Sequence, residues 1–153
     1  MRNTLLIGII SLLIFSCKKD KFKTEPQISF KSIKPSRVSS SITRTDPDLP
    51  FITIHVTDGN GDLGFREGKD TSRVYIKNLL TSKTDSLLLP DLSGVAGKNF
   101  EADIEIGLFN VLGVSNRPRP KVDTLFFEIY VTDFAKNKSN VIISDEPLLY
   151  VSP

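Results

Sequence analysis

Phe51-Ile52-Thr53-Ile54-His55-Val56-Thr57 puts Ile52, Ile54 and Val56 on one side of an extended chain and Thr53, His55 and Thr57 on the other. Successive side chains of a strand point to opposite faces, so this alternation predicts a β-strand with one buried face. Residues 100–106 repeat the pattern: Phe100, Ala102, Ile104 and Ile106 point one way, Glu101, Asp103 and Glu105 the other. Residues 124–132 set Leu125, Phe127, Ile129 and Val131 against Phe126, Glu128, Tyr130 and Thr132. Shorter strands are predicted at 27–33, 73–78, 85–89, 140–143 and 148–151. Past residue 17 no window sustains the i, i+3, i+4, i+7 apolar spacing of a helix over ten residues. Seven to eight half-buried strands fit two packed antiparallel sheets, an all-β sandwich. The connections carry suitable breakers: Asp46-Pro47-Asp48-Leu49-Pro50, Pro90-Asp91-Leu92-Ser93-Gly94 and Arg117-Pro118-Arg119-Pro120.

Ahead of this body stands a different kind of segment. Arg2 gives a positive start, Leu5 to Phe15 is an apolar run, and small Ser16 and Cys17 lead into polar Lys18-Lys19-Asp20. That is the layout of a secretory signal peptide with a small residue before the cut. About eleven residues at ~1.5 Å each give ~16 Å of helix, roughly half of a ~30 Å hydrocarbon core. Ending on the chain's one cysteine, the run resembles the lipobox of bacterial lipoproteins. The resemblance implies acylation of the Cys17 thiol, cleavage just before it, and a bilayer anchor. An ordinary signal peptide with an incidental cysteine, and an uncleaved anchor, are the alternatives. The expected organisation is a signal peptide at 1–16, a flexible charged linker at 17–26 and a sandwich at 27–153.

Cleavage before Cys17 leaves 137 of the 153 residues, enough for one domain. A domain of that size buries roughly two-thirds of its unfolded surface and needs no disulfide. Only Arg2 among the 20 basic residues lies in the leader, so the mature chain balances about 19 cations against 18 acids. That balance supplies no field for nucleic acid, and nucleic acid is not expected as a partner. Membrane attachment would come from acyl chains at ~0.8 kcal/mol per buried methylene, of which two or three hold firmly.

Directly after the 51–57 strand comes Asp58-Gly59-Asn60-Gly61-Asp62-Leu63-Gly64. Oxygen-bearing side chains at alternate positions can fold around a hard cation, and calcium takes six to eight oxygens. An EF-hand is excluded, because its obligatory glycine would fall on Leu63 and its closing glutamate on Lys69. A tight turn explains the same residues, since glycine reaches positive φ cheaply and Asp and Asn bond their own backbone. A second stretch, Tyr130-Val131-Thr132-Asp133-Phe134-Ala135-Lys136-Asn137-Lys138-Ser139-Asn140, also runs a strand into Thr-Asp and a polar turn. If both strands end on one side of the sandwich, Asp133 and Asn137 join Asp58, Asn60 and Asp62. No cofactor is expected beyond a weak calcium site at those five residues.

With the Phe-Ser-Cys-Lys-Lys-Asp leader junction, these two stretches resemble small lipoproteins of Bacteroidota. The exported part of such proteins is similar to immunoglobulin- or cadherin-like β-sandwich modules. The resemblance implies an immunoglobulin-like fold, with Asp-x-Ala-x-Asn-x-Ser-Asn near the last hairpin, and an outer-membrane, lipid-anchored location. Surface-displayed members often carry an acidic run after the cysteine. This chain has Lys18-Lys19-Asp20-Lys21, so the periplasmic face and the cell surface both stay open.

Catalytic readings are weak. His55 is the single histidine, on the polar side of its strand, with no partner cysteine for zinc. No Gly-x-Ser-x-Gly elbow occurs. Glu101, Asp103 and Glu105, each ~6.6–7 Å from the next, read as the solvated face of a strand. Arg117, Arg119 and Lys121 read as a stiff soluble loop. With no tryptophan, the best surface aromatics for a ligand are Tyr75 and Tyr130. The expected function is a non-catalytic, membrane-tethered lipoprotein module that holds a partner protein or complex at the outer membrane. The alternative is a glycan-binding accessory of a nutrient-uptake or adhesion system.

Overall fold

The alternation at 51–57 builds the middle strand of a three-stranded sheet, and the rest of the body is arranged around its buried side. The structure, a computed structural model, describes residues 22–64, 71–90, 92 and 97–153. Ten strands follow in order: β1 (Gln27–Lys34), β2 (Arg37–Ser39), β3 (Phe51–Asp58), β4 (Arg73–Asn78), β5 (Thr84–Leu88), β6 (Phe100–Gly107), β7 (Lys121–Leu125), β8 (Phe127–Thr132), β9 (Ile142–Ile143) and β10 (Leu148–Ser152). One 3-10 turn, Phe109–Val111, is the only helical element among the described residues.

The sheets run β1-β3-β6, β5-β4-β8-β9 and β2-β10-β7. Every pair in the first two is antiparallel. Three strands against four, with strands that follow one another in the chain often in different sheets, is the order of an immunoglobulin-like sandwich. The core lies between these two sheets. Ile52, Ile54 and Val56 of β3 are fully buried, as are Phe127, Ile129 and Val131 of β8, with Val74 and Ile76 of β4 beside them. Each such side chain contributes roughly 1.5–3 kcal/mol by leaving water.

The strand count exceeds the expected seven to eight for two local reasons. Residues 124–132 read as one strand, but the chain changes sheets at Phe126: β7 pairs with β10, and β8 pairs with β4. Period-two burial runs through the change undisturbed, since Leu125 and Phe127 are both fully buried. Alternation reports which side is buried and is blind to which neighbour a strand pairs with. The other addition, β2, has three residues and one inward side chain, Val38, and pairs parallel with β10. A run that short has no period to read.

Asn140 closes a gap between the two main sheets. Its Oδ1 accepts from the Ile28 N–H at 2.8 Å and its Nδ2 donates to the Ile28 carbonyl at 2.8 Å. The side-chain amide thus does for β1 what a neighbouring strand would do.

The leader at 1–16 and the lipidation candidate Cys17 lie outside the described residues. No helix among the described residues is long and apolar enough to cross a membrane. Of the stretch expected as linker, residues 22–26 are described and already touch the body. The Lys23 carbonyl accepts from the Gly59 N–H at 2.7 Å, and Pro26 is buried.

Candidate functional site

The turn after β3 and the turn after β8 meet at one end of the sandwich. The Phe134 N–H donates to the Asp62 carbonyl at 3.0 Å, joining them directly. The 133–140 stretch spans the connection from β8 to β9, the last link of the four-stranded sheet. The same end receives the start of the body, because Gln27 of β1 lies opposite Thr57 of β3.

Glycines make the first turn possible by being small. A Cβ on Gly61 would stand 2.1 Å from the Gly97 carbonyl oxygen, and Gly61 has a φ of +67°. A Cβ on Gly59 would stand 2.6 Å from the Lys23 carbonyl oxygen. The turn is therefore clamped between the segment leading into β1 and the segment leading into β6.

The five residues singled out for a cation come together at this end and then divide. Asp58 is fully buried. Its Oδ2 accepts from the Asp62 N–H at 3.0 Å, and its Oδ1 has no partner. Asp62 likewise has a buried Oδ1 without a partner. Burial, with the neighbouring Asp62 charge adding to it, pushes Asp58 up to about 6. Burial and the Asp133 charge raise Asp62 as well. Asp133 is fully buried but closed, with Oδ1 accepting from the Asn137 N–H at 2.7 Å and Oδ2 from Asn137 Nδ2 at 2.8 Å. Asn60 is exposed at the tip. Asp58 and Asp62 thus hold open oxygens, whereas Asp133 and Asn137 satisfy each other. Among the described residues, no three His, Cys, Asp or Glu side chains already converge as a metal cage.

Tyr75 and Tyr130 are cross-strand neighbours on β4 and β8. Their rings stack on each other, with centroids 4.6 Å apart and planes 11° apart. The Lys138 Nζ lies 3.9 Å from the Tyr130 centroid. It comes from the β9 side while Tyr75 comes from the β4 side, so both faces of Tyr130 are covered. Tyr75 and Tyr130 both border a cleft of about 320 Å³ with Lys77, Asp85 and Glu128. A sugar ring here could stack on the outer face of Tyr75 and would meet Tyr130 only at its edge.

His55 stands between two acids of β6. Its Nδ1 lies 2.8 Å from Asp103 Oδ1 and its Nε2 lies 3.2 Å from Glu101 Oε1. Both ring nitrogens face carboxylates, so neither is aimed at a hydroxyl or thiol nucleophile. The hydrogen bond from His55 holds the Asp103 carboxyl below its ordinary value.

Asp123 is the group that sequence reasoning passed over. It is fully buried and gathers the basic loop before it. The Ser115 N–H and hydroxyl donate to it at 2.9 and 2.6 Å, Arg117 Nη2 at 2.6 Å, and Lys121 Nζ stands 3.7 Å away. Burial alone would raise this carboxyl, but the bonds from Ser115 and Arg117 outweigh it and hold it far below the usual range. The signal was in the sequence: Asp123 is two residues before Leu125, in phase with the buried face. Arg117 and Lys121 are therefore committed within the fold.

No protein-family model matches this sequence, and no curated protein matches it. Among solved structures, the chain is similar to a β-glucosidase from Kluyveromyces marxianus in complex with glucose, at 13% identity and a TM-score of 0.29. The match covers 85% of this chain and 15% of that one. A likeness that loose carries no argument about activity.

Proposed function

We propose that this protein is a non-catalytic, lipid-tethered β-sandwich module of the Bacteroidota lipoprotein type, anchored through acylated Cys17 and holding a partner protein at the outer membrane. The carrying observation is the apolar run at 5–15 that stops at Ser16-Cys17, followed within a few residues by the body. Lys23 is bonded to Gly59, so only residues 18–22 stand in sequence between Cys17 and a residue hydrogen-bonded to the body. Five residues span at most ~17–18 Å when fully extended. On this reading the sandwich rides close to the bilayer with its Asp58 end toward the head groups.

For a partner, the supporting surface is the outer edge of the four-stranded sheet. Val141, just before the two-residue edge strand β9, and Ile143 within it are two positions apart and so on one face, and are 47% and 52% exposed. Exposed branched apolar side chains at a sheet edge suit a protein surface better than water. The glycan-accessory reading rests on the outer face of Tyr75, and the covered faces of Tyr130 make it the second choice.

Metabolic labelling with an alkynyl fatty acid tests the tether. The chain should take up label and sediment with membranes, and Cys17→Ser should lose both. A labelled Cys17→Ser chain, or an unlabelled native one, ends the proposal. Crosslinking in intact membranes tests the partner surface: an adduct made by the native chain should be lost in Ile143→Asp. An adduct indifferent to that change moves the partner elsewhere.

A further inference from the structure

The 58–62 turn holds more negative charge than its surroundings answer. Among the described residues no lysine or arginine forms an ion pair with Asp58 or Asp62. Asp58 is fully buried, and its Oδ1 makes no hydrogen bond. Asp62 adds a second buried oxygen without a partner, and Asp133 adds charge from the adjoining turn. An unpaired carboxylate oxygen removed from water costs free energy unless a proton or a cation meets it. Native folds rarely leave such atoms without a purpose.

The structure assigns, we infer, a calcium-binding role to the 58–62 turn, with Asp58 and Asp62 as the charged ligands and the Asn60 amide oxygen and water completing the shell. Two carboxylates match a divalent charge. The donors are all oxygens on an irregular, glycine-spaced turn, which suits the loose geometry of calcium better than the strict octahedron of magnesium. Nitrogen and sulfur donors that would favour zinc are not among these ligands. Asp133 acts at one remove: held by Asn137, it deepens the negative potential without offering an oxygen. Because Gly59 is bonded to Lys23, a filled site would also stiffen the junction where the chain enters the body.

This inference stands apart from the tether: an unacylated Cys17 would end that reading and leave this one intact. The test is a thermal melt of the full chain in neutral detergent at pH 7.5, in chelator and then in 5 mM calcium. A site of the weak extracellular class should raise the midpoint by about 3–8 °C. Asp62→Asn and Asp58→Asn should abolish the response, while Asp103→Asn, which removes an acid from the polar face of β6, should keep it. If Asp58→Asn does not fold, Asp62→Asn decides alone, and calorimetric titration of the native chain should find one calcium site. An unmoved native midpoint, a response retained in Asp62→Asn, or an equal response to magnesium overturns the assignment.

Discussion

Asp123 and Asp58 are both fully buried carboxylates, and the protein treats them in opposite ways. Around Asp123 stand a serine amide and hydroxyl, a guanidinium and an ammonium. Around Asp58 stand the backbone N–H groups of Asp62 and Asn60 and another aspartate, with no ion-paired cation among the described residues. The first is pulled down because its donors outweigh burial, and the second is pushed up because burial and the Asp62 charge outweigh two backbone N–H groups. Neither side chain reaches solvent, so solvent exclusion alone does not tell a structural acid from a binding one. What separates them is whether the fold itself supplies the counter-charge.

The comparison breaks first at Asp123. Asp123→Ala leaves the Lys121 amine, whose side chain is 6% exposed, without its carboxylate. The expected loss is about 3–5 kcal/mol, seen as a fall in the urea midpoint. A loss below 1 kcal/mol would mean that the loop does not depend on this acid and that the contrast with Asp58 is empty. Asp123→Asn keeps one acceptor for Ser115 and should cost less than Asp123→Ala.

Gly61→Ala comes next. It forces a Cβ toward the Gly97 carbonyl at a φ of +67°, a conformation that favours glycine. The cost should be about 2 kcal/mol. Because the clash lies beside the open oxygens, the same substitution should weaken any calcium response along with stability, whereas Asp123→Ala should lower stability and leave that response intact.

Acidity sharpens the comparison, since the two aspartates have opposite signs. The unfolded value of either is ~3.9. Asp58, raised to about 6, contributes stability that is fully present below ~4 and is lost as pH climbs through 6. Asp123, lowered, contributes stability present above ~4 and lost as pH falls through its folded value. In chelator, therefore, the melting midpoint should rise as pH drops from 7 to about 5, against the usual trend for a protein rich in paired carboxylates. Asp58→Asn should flatten that rise. Calcium should oppose it, because the ion and the proton compete for one carboxylate, so the calcium increment should shrink at pH 5.

Much of this body could be read from residues alone, and the missed parts share a cause. Burial of Ile52, Ile54 and Val56 follows from alternation, as does burial of Leu125, Phe127, Ile129 and Val131. Alternation carries no information on pairing, which is why the sheet change at Phe126 and the three-residue β2 were invisible. At the candidate site, the rhyme between Thr57-Asp58 and Thr132-Asp133 correctly brought the two turns to one end. It treated all five residues as equal donors, however, and the structure shows Asp133 spent on Asn137. Whether a carboxylate is open depends on hydrogen bonds a few ångströms away, which spacing along the chain does not encode.

The smallest expected effect lies at the surface, where Lys138 covers Tyr130 at 3.9 Å. Here the charge is solvated and its partner is a ring, so neither the penalty at Asp58 nor the pairing at Asp123 applies. Lys138→Met keeps an apolar stem over the ring and removes the ammonium, isolating the electrostatic part. The loss should be about 0.5 kcal/mol and should vanish when Tyr130 is already leucine, as a double-mutant cycle would report. An equal loss in both backgrounds would assign it to the stem or to the Thr132–Lys138 backbone pairing instead. The value also sets a floor: responses at Asp58 and Asp123 should exceed it several-fold, because a buried carboxylate is far more sensitive to a missing partner than an exposed ammonium is.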